Sequence, residues 1–167
     1  GSYIGEYRPP YAHDELYAHM ICGRPICHPT VAFRRKAFES LGGYDESFWT
    51  AQDTELWGRA LPRFTFAAIP EPLLFYRQHP GQITCRRSSA GEAMSIEAER
   101  RLLENFVGNH IRTELVESLR RAKLGAPADL HLLLELTNYL LPAARLRFRP
   151  LIRRGLEKRL VRYLCQN

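Results

Sequence analysis

From residue 89 onward the apolar positions recur every three or four residues, the spacing of one face of a helix. Met94, Ile96, Leu102, Leu103 and Phe106 predict a helix over residues 91–106. A second is predicted over 111–124, stopped by Gly125-Ala126-Pro127, and a third, strongly apolar, over 129–141, stopped by Pro142. Residues 143–164 predict one or two more helices, broken around Pro150. Before residue 88 the pattern changes to short elements rich in aromatics, Pro and Gly. Residues 26–33 read as a strand interrupted by Pro29, and residues 34–41 as a short helix that Gly42-Gly43 ends. Thr50 stands three residues before Asp53, close to a capping-box pattern, and Leu56, Trp57 and Ala60 carry that helix to Pro62. Residues 64–69 (FTFAAI) and 73–77 (LLFYR) predict two short strands, separated by Pro70-Glu71-Pro72.

The pattern divides the chain into an N-terminal segment (1–23), a mixed region of short strands and helices (24–88) and a helical region (89–167). Gly1-Ser2 resembles the scar left by protease removal of a tag and is set aside in reading the fold. With 167 residues, 45% of them hydrophobic and 25% charged, the chain has the composition of a globular domain with its own core. No apolar run is long enough to span a bilayer.

Charge and cysteine usage narrow the picture slightly. The net charge is +6, carried mostly by arginine, but the arginines are scattered and form no nucleic-acid reader motif. Nucleic acid is therefore not an expected partner. Cys22, Cys27, Cys85 and Cys165 are irregularly spaced, which fits reduced thiols in the cytoplasm better than a disulfide framework. Cys22 and Cys27-His28 lack a second ligand pair at zinc spacing. In the basic tail, Leu146, Phe148, Leu151, Ile152, Leu156, Leu160 and Leu164 alternate with arginines. Such a helix either lies on the inner face of the plasma membrane or packs its apolar side on its neighbours.

One block of the sequence carries chemistry. The run RPICHPTVAFRRKAFESLGGYDESFWTAQDTELWGRA, followed by FTFAAIPEPLLFYRQHPGQIT, resembles the C-terminal half of the catalytic domain of family 2 glycosyltransferases. Five short family blocks appear in order and at natural spacing over residues 24–84: His-Pro-Thr, Phe-Arg-Arg, Gly-Gly-Tyr-Asp, Asp-x-x-Leu-Trp-x-Arg and Pro-x-x-Leu-x-x-Tyr-Arg-x-His. The resemblance implies an α/β architecture, in which the C-terminal half of a GT-A mixed sheet is followed by a helical appendix. It also implies inverting transfer of a sugar from a nucleotide-sugar donor to a glycan or lipid-linked acceptor. The family's Glu-Asp pair is Gln52-Asp53 here. The family's donor-binding half and its metal-holding Asp-x-Asp have no counterpart in these residues.

By that resemblance Asp53 is the catalytic base, and an early helical position favours its anionic form. The residues alone also allow a capping role, and one side chain can fill both. His28 is expected near the donor sugar or the acceptor. Trp57 is read either as a substrate-stacking residue or as core. Arg77 is read either as a diphosphate contact or as an ion-pair partner of Glu71. Arg59 is read as a structural ion-pair partner. His79 is read either as a contact to the diphosphate or its metal, or as an exposed turn residue. A divalent metal, Mg or Mn, is expected for the complete enzyme and no tightly bound metal for this chain. The chain is thus expected to be a fragment inactive by itself; the alternative is a non-catalytic binding or assembly module on the same fold. Removal of half a sheet exposes an edge, so a homodimer or an exchange of elements is expected.

Overall fold

A computed structural model describes residues 5–6, 8, 10–22, 26–79, 81–82, 88–144, 150–154 and 156. The helices α1 (His13–Ile21), α2 (Arg35–Ser40), α3 (Gln52–Ala60), α4 (Ser89–Val107), α5 (Thr113–Leu124) and α6 (Leu130–Ala143) organise them, with a 3-10 turn at His28–Thr30; residues 150–154 are helical too. The C-terminal helices follow the sequence pattern closely. Ser88 caps α4 by accepting the Gly91 N–H at 3.0 Å, and Asp129 caps α6 by accepting those of His131 and Leu132. Gly125 ends α5, and α6 runs one residue past Pro142.

The expected mixed sheet is absent: among the described residues there is no strand. Residues 26–33 instead form an irregular stretch around the 3-10 turn, where Pro29 suits the turn's first positions. Residues 64–69 and 72–79 run without helix or turn, but no neighbouring strand lies beside them. Aromatic and branched residues favour a pleated surface only when a second strand completes the ladder. What residues 64–69 have instead is α1. The Phe66 N–H donates to His13 Nδ1 at 3.1 Å and the Ala68 N–H to the Tyr11 carbonyl at 3.1 Å.

A single apolar core runs through the described helices. Ile21 of α1, Leu56 and Trp57 of α3, Leu103 of α4, Leu115 and Leu119 of α5, and Leu136 and Leu140 of α6 are all buried in it. Thus α1, expected only as part of a leading segment, is a core helix. Ile152 and Leu156 are also buried in that core, so this part of the basic tail packs inward. Leu146, Phe148, Leu160 and Leu164 lie outside the described residues. Among the described residues no helix is long and apolar enough to cross a membrane.

A close helix crossing sets the position of α3. At Gly58 a Cβ would stand 2.9 Å from Leu102 Cα, so only glycine lets α3 lie this near α4. The backbone contact fixes the helix that carries Asp53.

Candidate functional site

Asp53 occupies the first turn of α3 and is half-buried. Its Oδ1 accepts the Thr54 N–H at 2.8 Å, and among the described residues it has no ion-pair partner. The expected Thr50 cap does not form. The N-cap is Ala51, with φ 57° and ψ 19°, and no side chain caps the helix. This left-handed residue turns the chain into α3 one step later than the sequence pattern places it. It is the only non-glycine residue with positive φ among those described. Such backbone costs an L-residue about 1–2 kcal/mol and is concentrated at functional positions.

The loop before α3 is held from beneath. Glu55 is buried and takes two hydrogen bonds from Arg59, at 2.7 and 2.6 Å. The Arg59 guanidinium also donates to the Leu41 carbonyl, and to the Gly43 carbonyl at 2.9 Å. Arg59 thus clamps the turn at Gly42-Gly43, whose φ values of 82° and 75° suit glycine. Its expected role as a structural ion-pair partner is what the contacts show.

The clamped turn delivers Tyr44 to the site. Its hydroxyl lies 3.4 Å from His28 Nε2, and the two rings meet edge to face at 5.8 Å. The His28 ring also packs against Trp57, at 6.3 Å between centroids, and its Nδ1 is buried without a hydrogen-bond partner. Burial pushes the Cys27 thiol pKa up, and the Asp53 charge raises it further. The Tyr44 hydroxyl is raised by the same two causes in the same order. Cys27 and Tyr44 therefore both feel the charge of Asp53, and His28 joins them through Tyr44. The Tyr44 and Cys27 roles were not read from the sequence. The signal for Tyr44 lies in GGYD, where two glycines permit the turn that returns the ring to His28.

The other expected site residues lie elsewhere. Trp57 is fully buried, stacked on Phe33 at 5.4 Å, and supports the site from the core without facing solvent. Arg77 and His79 are exposed on the segment after residue 72, and no contact among the described residues brings either to Asp53. The His79 N–H donates to Gln82 Oε1 at 3.2 Å, which makes a local turn. Among the described residues no ion pair joins Arg77 to Glu71. No group of three or more His, Cys, Asp or Glu side chains among the described residues is arranged to hold a metal ion.

A cavity of about 20 Å³ is lined by Thr54 and Trp57 of α3 and by Glu99 of α4, among others. It has room for one water molecule and none for a sugar. Trp57 Nε1 and Glu99 Oε2, both buried and without a hydrogen-bond partner, line it.

Comparisons with protein-family models, with curated proteins and with solved structures found no match to this chain.

Proposed function

We propose that this chain is the acceptor-and-base part of an inverting, nucleotide-sugar-dependent glycosyltransferase, with Asp53 as the base. The observation that carries the reading is the convergence on Asp53. The Asp53 carboxylate has no ion-pair partner among the described residues, its charge acts on Tyr44 and Cys27, and the Tyr44 hydroxyl lies 3.4 Å from His28 Nε2. The helix of Asp53 is locked at Gly58, and its preceding loop at Arg59. The five sequence blocks of residues 24–84 support the same reading.

In the proposed reaction the acceptor hydroxyl sits against Asp53. Its oxygen forms the new bond to the anomeric carbon while its proton passes to the Asp53 carboxylate. The bond from that carbon to the diphosphate oxygen breaks, and the electron pair leaves with the diphosphate. Tyr44 and His28 orient the acceptor through hydrogen bonds. Donor binding and stabilisation of the leaving group fall to residues outside this site. By itself the chain then binds acceptor and does not transfer sugar.

Chemical-shift mapping of the isotope-labelled chain with glycan oligomers tests this. Perturbations centred on Tyr44, Asp53 and Thr54, lost in Asp53→Asn and Tyr44→Phe, are the expected result. Robust sugar transfer from a nucleotide donor by the 167-residue chain alone would contradict the division of labour.

A second reading has its own observation. The apolar segment after Pro72 is exposed, which suits a non-catalytic binding or assembly module. That reading gains if Asp53→Asn leaves the activity of a longer parent polypeptide intact.

A further inference from the structure

The segment after Pro70 is the largest feature that the proposed function leaves unused. Residues 72–79 run without helix, turn or bend. Leu73 is 65% exposed, Tyr76 51% and Phe75 100%. Just upstream, the N–H groups of Phe66 and Ala68, two residues apart, point to the same side, toward His13 and Tyr11. That is the alternation of an extended strand. Past Ala68 the α1 side no longer supplies acceptors, and no backbone group of residues 72–78 is bonded to a described residue. An exposed apolar segment with open donors and acceptors is a template for strand addition.

We propose that residues 71–77, with the bend at Glu71 straightening on association, pair antiparallel with the same residues of a second copy of this chain, about a two-fold axis at Leu74. Three independent features of the segment fit this register. Glu71 of one copy falls opposite Arg77 of the other, and this happens twice. Leu73 falls opposite Phe75, also twice, so the most exposed ring gains an aliphatic partner. Pro70 and Pro72 have the same parity as Leu74. With Leu74 at a non-hydrogen-bonded position, both prolines turn their missing N–H away from the partner, and the odd-numbered residues exchange the ladder bonds. Centring on Phe75 instead places Glu71 opposite His79 and Leu73 opposite Arg77, which loses the charge match. The pairing is independent of the chemistry at Asp53.

Sedimentation of the 167-residue chain over a range of concentrations, with a cysteine crosslink, tests the register. A concentration-dependent dimer is expected. Glu71→Arg should raise its dissociation constant about tenfold, and adding Arg77→Glu should restore it. Leu74→Cys should form an intermolecular disulfide on mild oxidation, because directly opposed Cβ atoms lie near disulfide range. Arg77→Cys should not exceed the background set by the native cysteines. All these positions are exposed, and circular dichroism checks that each variant folds. A monomer up to the solubility limit overturns the proposal. So does a dimer indifferent to both Glu71→Arg and Phe75→Asp, or crosslinking through Arg77→Cys as efficient as through Leu74→Cys.

Discussion

Gly58 of α3 lies flush against the backbone of Leu102 in α4, with a Cβ at Gly58 only 2.9 Å from Leu102 Cα. Neither partner can give way cheaply, because the close atom is main chain. Gly58→Ala is therefore expected to destabilise the fold by about 1–3 kcal/mol, even though alanine favours helix. A thermal melt checks this. An unchanged or raised midpoint would show that the two helices separate without cost.

Arg59 is the second lock. It joins the buried Glu55 to the carbonyls of Leu41 and Gly43. Replacing it with Met keeps most of the stem but leaves the Glu55 charge buried and the turn unpinned. The expected loss is roughly 3 kcal/mol in chemical denaturation. Tyr44 should also loosen from His28, seen as sharper, shifted ring resonances in the folded fraction.

Ala51 stores strain at the entrance to α3, with φ 57°. Ala51→Gly removes the Cβ clash and is expected to raise stability by about 1 kcal/mol. If the strained turn also aims Asp53, acceptor binding should weaken in the same variant while its melting point rises. A drop in melting point would mean that the left-handed turn is not strained.

Two groups of shifts set the pH response, with opposite signs. The Cys27 thiol and the Tyr44 hydroxyl are raised by burial first and by Asp53 second, so the folded state holds their protons more tightly. Their contribution is complete below the ordinary thiol and phenol values and is lost as pH rises through the raised ones. Glu97 is lowered chiefly by its hydrogen bond to Arg100. Its contribution is present above the ordinary carboxylate range and is lost as pH falls through the lowered value. Denaturation midpoints should therefore drop on both sides of neutrality. Cys27→Ser should flatten the alkaline limb and Glu97→Gln the acid one; unchanged limbs would contradict these assignments.

The helices after residue 88 were legible because their burial is local. The apolar stripes of α4, α5 and α6 pack against one another, and Gly125 and Asp129 mark ends that need no distant partner. The first half was less legible for a physical reason. FTFAAI and LLFYR have strand composition, but a strand exists only with a neighbour, and none of the described residues supplies one. The α1 sequence HDELYAHMI has few strongly apolar positions, and its burial depends on α3 and α4. Thr50 matched a capping spacing that the left-handed Ala51 shifts by one residue. In the candidate site, the sequence blocks point to Asp53 and His28. Tyr44 and Cys27 depend on how the clamped turn folds back, which residue spacing does not reveal.

The central claim is that Asp53 takes the acceptor proton. The most direct test is Asp53→Asn in the longer polypeptide proposed to carry the donor-binding half, measured as sugar transfer from its nucleotide donor. The isostere keeps the N–H acceptor of Thr54 and so spares the fold. The account predicts a fall in kcat of about 10²–10⁴-fold with acceptor KM little changed. Transfer at the unaltered rate by a correctly folded Asp53→Asn enzyme would contradict it.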